Sequence, residues 1–393
     1  MKKILFAVLV LLVSVTLAGC QDSDPLFFEM EVVNIHDEVV LSEQIIYEED
    51  DSLNVFDLID AKVGLDYTVY DIGNFINGVD SYYPTEYQVT YNYYYVVKVN
   101  DVVSTETLEE VELVSGMKIS FIETTTLDET DLEVDRLIQL FIDNYYATYI
   151  SDDAVDHYTL AAIKQLDLKG YSVPELSAAS LPSSYATMTR DKIADTFKIT
   201  VLEKAYAQNL DTSKTALSGF ESTNSYDAVS LLTALTMTDG STEQIDTLIS
   251  TLLTSTPAFM DADYAGMILL ALAPYTENSA TTQTIDDMVA YIQTMLTETG
   301  VESWGNANSS STATVILGLV AQGINPRGET YQTNDVDLIE ALLGYEIDGA
   351  YKWQLADDQA DMAFSTPQVF SALVAYKIYR DIYGNPAFNL FDF

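Results

Sequence analysis

The sequence predicts an α+β multidomain chain: a small N-terminal β-grasp-like domain followed by an α/α (α6/α6) toroid. Three observations carry this. Residues 28–124 show strand-type alternation, interrupted by one helical stretch. From Leu132 onward β signals cease and Ala/Leu/Ile-rich stretches recur, opening at Asp156, Asp195, Asp227, Asp263, Ser311 and Ser365. Between them lie amphipathic stretches able to cover them.

Residues 29–34 alternate and residues 39–47 are rich in β-branched side chains, so both read as strands. Residues 52–63 have helical spacing. Leu53, Phe56, Leu58, Ile59 and Val63 fall on one side and Ser52 serves as cap. Further strands are expected at 65–72, 87–99 and 117–124. Asn100-Asp101 reads as a hairpin turn, because both residues tolerate positive φ. Residues 124–131 form a polar joint.

The six later helix starts are Asp or Ser, whose side-chain oxygens satisfy orphan backbone N–H groups. Two of the stretches are alike: Asp263–Ala273 (DYAGMILLALA) and Ser311–Ala321 (STATVILGLVA). Amphipathic helices are expected at 132–149, 243–253, 282–299 and 336–343. Helices apolar all round are buried, and amphipathic partners cover them. Six such pairs make an open solenoid or a closed ring. Closure is the expectation, because neither terminal pair carries an obvious polar capping face.

The chain has 393 residues, 48% of them hydrophobic, enough for several domains with a sizeable core. Its 17 Lys and Arg face 61 Asp and Glu, a net charge of −44. No basic residue lies between Lys214 and Arg327, which excludes a phosphate-reading nucleic-acid surface there. The same field repels polyanionic substrates. A single cysteine excludes a disulfide framework and a Cys-based zinc cluster.

Residues 1–20 carry Lys2 and Lys3, then an apolar run at 4–16 too short to span a bilayer permanently. Leu17-Ala18-Gly19-Cys20 closes the segment. This resembles the lipobox of bacterial lipoproteins, which implies cleavage before Cys20 and lipidation of its sulfur. An ordinary secretory signal with an incidental cysteine is the alternative. The expected organisation is a signal peptide at 1–19, a lipid-anchored tether at 20–27, the β domain at 28–126 and the toroid at 131–383. The expected location is extracytoplasmic, anchored to the cell membrane.

Two groups of segments carry a further resemblance. Ile72–Tyr83 (IGNFINGVDSYY), Asn92–Asn100 (NYYYVVKVN) and Val114–Phe121 (VSGMKISF) resemble the transcobalamin-like C-terminal-type β domain. Asp101 stands where that pattern has Gly, and Gly116-Met117 where it has Gly-Asp. Asp261–Met267 (DADYAGM) and Trp304–Ala313 (WGNANSSSTA) resemble helix starts of cobalamin-binding proteins and of prenyltransferase/squalene-cyclase-like α/α toroids. The β-then-α order reverses that of the animal vitamin carriers. In those carriers the resemblance implies cobalamin held between the two domains.

Several residues are candidate ligand contacts. In the loop 302–311, Trp304, Gly305, Asn306, Asn308 and Ser311 would meet the amide side chains of a corrinoid; alternatively Trp304 plugs the ring. Asp263 with Tyr264 reads as a ligand contact, a general acid, or simply a cap. The Asp-X-Asp-Asp acid of class II terpene cyclases lacks its last carboxylate here, since Tyr264 occupies that place. Tyr226, Asp227, Thr366 and Gln368 sit at two further helix starts. In the β domain Tyr82, Tyr83, Tyr87, Tyr91, Tyr93, Tyr94 and Tyr95 are dense. Tyr91, Tyr93 and Tyr95 share one strand face and Tyr94 the other. One face is core; the other offers flat apolar surface with hydroxyl tips, for a ligand or for packing.

His36 and His157 read as surface or capping residues rather than cobalt ligands. Asp357, Asp358 and Asp361 lack EF-hand spacing and read as a solvated turn rather than a calcium site. With no catalytic or metal set in view, the expectation is a non-enzyme. It would capture a small ligand, best guess cobalamin or another corrinoid, between the β domain and the toroid mouth. Its partners would be the membrane, that ligand and an importer, with no nucleic acid and no catalytic cofactor. The alternatives are a surface adhesion or display module, or a terpene-cyclase-like or glycan-acting toroid enzyme.

Overall fold

The computed structural model describes residues 25–48, 54–71, 73–151, 155–176, 181–222, 224–254 and 261–393. The leader, Cys20, most of the tether, Ser52, Leu53 and Ile72 lie outside the described residues. The chain divides into two units. One comprises residues up to Thr85 together with Tyr93–Thr125; the other comprises Glu86–Asn92 and Thr126–Phe393. The chain is thus a mixed α+β multidomain protein. No described helix is long and apolar enough to cross a membrane.

The first unit runs β1 (Leu26–Val33), β2 (Val39–Tyr47), α1 (Val55–Lys62), β3 (Leu65–Tyr70), β4 (Gly73–Val79), β5 (Tyr93–Val99), β6 (Val102–Val103) and β7 (Lys118–Thr125). Five strands form one sheet in the order β2-β1-β7-β5-β6, while β3 and β4 make a separate hairpin. β1 pairs parallel with β7 and antiparallel with β2. Every second residue of β1 (Phe28, Met30 and Val32) is buried, together with Ile119 and Phe121 of β7. Val55 and Ile59 of α1 complete this core.

Asn100 and Asp101 have φ of 48° and 66°, and Val99 pairs with Val102 across them, so the expected hairpin is present. Three expectations need correction. α1 is capped by Asn54, whose side chain accepts from the Asp57 N–H, rather than by Ser52. The strand expected at 87–99 begins only at Tyr93. Glu86 and Gln88 have positive φ, and the N–H groups of Val89 and Thr90 donate back to the Glu86 carbonyl in a turn. Tyr91 is therefore outside the strand and 89% exposed. The Gly/Asn run at 73–79, outside the expected strands, is strand β4; pairing with β3 overrides its low β propensity.

The second unit is helical. α2 (Glu129–Asn144) and α3 (Tyr146–Tyr149) lead to α4 (His157–Lys169), α5 (Ile193–Ala205), α6 (Asp211–Ser218) and α7 (Ser225–Met237). There follow α8 (Thr242–Thr254), α9 (Ala262–Leu272), α10 (Ser279–Thr294), α11 (Ser309–Ala321), α12 (Leu338–Leu343) and α13 (Ser365–Asp381). α11 is buried on every side, while α8 and α10 bury one stripe. Packing runs α4 to α5, α7, α9, α11 and α13, and α13 returns to α4. The starts of these helices gather at one end. The Tyr226 hydroxyl meets Asp261, the Ser311 hydroxyl meets Asp263, and Ser310 meets Ser365.

Short hairpins precede α11 and α13. β8 (Leu296–Thr297), β9 (Gly300–Ser303) and β10 (Asn306–Ala307) precede α11, and β11 (Glu346–Ile347) with β12 (Ala350–Tyr351) precedes α13. The helix expected at 282–299 therefore ends at Thr294. Of the six expected caps only Asp156 is one, accepting from the Thr159 N–H. Asn224, Asp261 and Asn308 cap α7, α9 and α11, so Asp227, Asp263 and Ser311 lie within the first turn. Lys192 precedes α5 with no side-chain cap, leaving Asp195 in the first turn. At α13, Ser365 is helical and the Asp361 carboxylate accepts the N–H groups of Ala363, Phe364 and Ser365. Acidic and hydroxyl residues favour the first turn as well as the cap, because both face unpaired N–H groups. Composition alone therefore misplaces the start by one to three residues.

Candidate functional site

Where the starts of α4, α5, α7 and α13 converge, they enclose a cavity of about 530 Å3 in the helical unit. Aromatic walls come from Tyr149, Tyr158, Phe197, Phe364 and Phe391, and aliphatic ones from Val229, Met267 and Leu270. The volume suits a small molecule, and the lining is the usual apolar majority with a few polar groups.

Some of these polar groups are engaged by the fold. Asp156 caps α4, and the Thr233 hydroxyl donates to the Val229 carbonyl one turn earlier. Others are uncommitted. The Gln368 Oε1 is buried with no hydrogen-bond partner among the described residues. The Lys198 ammonium, one and a half turns into α5, forms no ion pair with any described residue. Ser230 likewise offers its hydroxyl to the cavity. A buried polar atom without a partner is costly, so an acceptor such as Gln368 Oε1 is a natural place for a ligand donor.

His157 stands at the cavity wall. Its ring lies 4.5 Å from that of Tyr158, 5.3 Å from Phe197 and 6.3 Å from Phe391. Burial pushes the imidazole pKa down; the Asp156 carboxylate opposes this and the Lys198 ammonium reinforces it. Nδ1 is 3.8 Å from Asp156 Oδ2, too long for a hydrogen bond. The neutral ring is held by aromatic packing.

A second cavity, of about 390 Å3, lies by the C-terminal ends of α5, α7, α9 and α11. Lys204, Asp239, Asn389 and Phe393 line it. Thr233, Leu270 and Phe391 belong to both cavities and separate them.

Of the fourteen candidate ligand contacts read from the sequence, Gln368 alone lines the larger cavity. Trp304 sits at the tip of the β9–β10 hairpin, 73% exposed, so it does not plug the ring. Gly305 shares that tip with φ of 85°, and Asn306 pairs with Ser303 beneath it. Asn308 is engaged as the cap of α11, its side chain accepting from the Ser311 N–H. Asp263 Oδ2 accepts hydroxyl hydrogens from Ser303 and Ser311, both at 2.9 Å. Burial raises its pKa and the neighbouring Asp261 adds to that, while the two hydroxyls lower it. Tyr264 is fully buried, 5.0 Å from the ring of Tyr226. Asp227 is exposed. Thr366 is buried, accepting from the Tyr351 N–H. In the β unit Tyr95 packs on Phe121 in the core, and Tyr93 and Tyr94 are half-buried.

His36 lies in the exposed turn between β1 and β2. Asp357 and Asp361 accept backbone N–H groups. Among the described residues no group of three or more His, Cys, Asp or Glu side chains is placed to hold a metal. Sequence reasoning missed Lys198, Phe197, Phe364 and Phe391. The available signals were a lysine inside the apolar α5 run and the aromatic pattern of residues 388–393.

No protein-family model matches the chain and no curated protein is similar to it, so the functional reading rests on this geometry.

Proposed function

We propose that this protein captures a small amphipathic molecule in the helical-unit cavity, with no bond made or broken. The observation that carries the reading is the coincidence of Gln368 Oε1, the Lys198 ammonium and the Ser230 hydroxyl, all uncommitted, with aromatic walls around about 530 Å3. Such a site stacks or encloses an apolar body and aims donors and acceptors at its polar end.

The cyclic packing of six inner helices supports an α6/α6 toroid, and the sheet order β2-β1-β7-β5-β6 with a helix after the second strand supports a β-grasp-like first unit. On this reading Cys20 carries a lipid anchor outside the cytoplasm, and the cargo passes to a membrane importer. A corrinoid is the first ligand to try, on the resemblance of the two groups of sequence segments. The cavity has the volume of a drug-sized molecule, so it would seat one edge or arm of a corrinoid rather than the whole.

The test is titration calorimetry of the Cys20→Ser protein with cobalamin, cobinamide and decyl glucoside. Saturable heat that disappears in Ser230→Trp, which fills the cavity, is expected. No saturable heat with any of the three ends the capture reading.

A further inference from the structure

The residues of segment 387–393 thread into the axis of the inner helices. Phe388, Leu390 and Phe391 are buried. The segment is held by its backbone. The Gln165 Nε2 group donates toward the carbonyls of Leu390 and Asp392 at 3.1 and 2.9 Å, the Asn389 amide donates to the Leu270 carbonyl, and the Phe388 N–H donates to the Val320 carbonyl. Gln165 is itself buried, so these bonds are made away from water. What they hold is the Phe391 ring, 5.1 Å from Phe197 and 5.6 Å from Tyr158.

Phe391 lines the larger cavity on one side and the smaller on the other. Thr233 and Leu270 complete the partition, but both lie in inner helices whose backbones are locked by neighbours. Phe391 is the member contributed by a non-helical segment. The uncommitted Gln368, Lys198 and Ser230 share the cavity with the apolar Phe197, Leu270 and Phe391. The cavity thus pairs hydrogen-bonding groups with apolar wall.

We infer that Phe391 is the floor that sets how long a ligand this cavity accepts, and that the ligand class it limits is a straight-chain amphiphile with a hydrogen-bonding head. The inference rests on the capture reading above. The head meets Gln368, Lys198 and Ser230, and the chain runs down to the Phe391 ring. Each methylene that finds apolar wall tightens binding about fourfold. At Phe391 that gain stops.

The experiment measures the affinities of hexyl, octyl, decyl and dodecyl glucosides for the Cys20→Ser protein and for its Phe391→Leu and Phe391→Trp variants. Thermal melts establish that each is folded. The expected result is an affinity that rises about fourfold per methylene and then levels off. The levelling point moves to longer chains in Phe391→Leu and to shorter ones in Phe391→Trp. Identical chain-length profiles in all three folded proteins overturn the floor and leave capture standing. Binding of no member by any of them removes capture, and the floor with it.

Discussion

Gly318 of α11 faces the carbonyl of Gly266 on α9 so closely that a Cβ on Gly318 would lie 2.5 Å from that oxygen. A Cβ on Gly266 would in turn lie 2.6 Å from the Thr314 carbonyl oxygen. Both obstructions are backbone, which cannot swing aside as a side chain does. The two helices touch because neither carries a side chain at the crossing.

Gly318→Ala therefore sets two effects against each other. Ala gains about 1 kcal/mol of helix propensity over Gly. Overpacking typically costs roughly 1–3 kcal/mol, and the upper end applies when the backbone must move. The expected outcome is a net loss of stability, read as a lower midpoint in urea with an unchanged slope. A raised midpoint would mean that the helices part freely and that the close approach has no structural role.

Lys377 is nearly buried and meets Glu86, Asp135 and Asp381 at 3.0–3.1 Å. Arg380 meets Asp135 at 2.9 Å and Asp381 at 2.7 Å. Removing one partner of a buried ion cluster leaves uncompensated charge and costs roughly 3–5 kcal/mol, so Lys377→Met is expected to destabilise by that order. The pH dependence follows from the carboxyls. Burial raises Asp381, but Arg380 and Lys377 hold it below the usual carboxylate range. Its contribution is present above the unfolded pKa and is lost as pH falls through the lower folded value. Glu86 goes the other way. Burial raises its pKa despite Lys377, so stability is gained as pH falls through its raised value. Without the lysine Glu86 and Asp381 both shift upward. The stability gap between wild type and Lys377→Met should narrow as pH falls from about 7 to about 5. Thermal melts across that range check it, and a constant gap rejects the account.

His157 carries a second pH signature. Its folded pKa lies below the ordinary value of about 6.5, because burial among Tyr158, Phe197 and Phe391 disfavours the imidazolium and Lys198 repels it. The unfolded chain then takes up the proton first. Stability is complete above the unfolded pKa and is lost as pH falls through it toward the folded value. His157→Gln is expected to remove that part of the acid sensitivity between about pH 7 and pH 5. Lys198→Met should make it shallower, since the imidazolium loses a repelling neighbour. Parallel curves for wild type and His157→Gln would rule out a depressed His157.

Local chemistry was legible in the sequence and long-range geometry was not. Strand β2 runs over 39–47 as expected, because its β-branched run is bounded by turn residues. Asn100-Asp101 turns as read, since few other pairs accept positive φ twice. Helix starts were displaced because Asp227, Asp263 and Ser311 suit the first turn as well as the cap. The turn at Glu86–Gln88 was invisible, as neither residue type announces a left-handed backbone. The candidate site was the least legible part. His157, Lys198, Gln368 and Phe391 come from four separate segments, and only tertiary packing brings them to one cavity. Asn308, by contrast, looked available because an amide at a helix start has two uses, ligand contact and cap, and the local backbone takes the second.

Trp304 separates the cavity from the loop as the place of capture. It has φ of 58° at 73% exposure, followed by Gly305 at 85°, between the paired Ser303 and Asn306. That is a two-residue hairpin turn with two positive φ values, which Asn-Gly fits best. A bulky side chain held in this region costs of order 1 kcal/mol, and its exposed ring recovers little by burial. Trp304→Asn is therefore expected to raise the unfolding midpoint by up to about 1 kcal/mol equivalent. If capture takes place in the cavity, the same variant leaves glucoside and corrinoid affinities unchanged, because Trp304 does not line it. A variant that is more stable but has lost its binding would move the site to the hairpin. Trp304 would then be a residue kept in a strained conformation for the sake of its ligand.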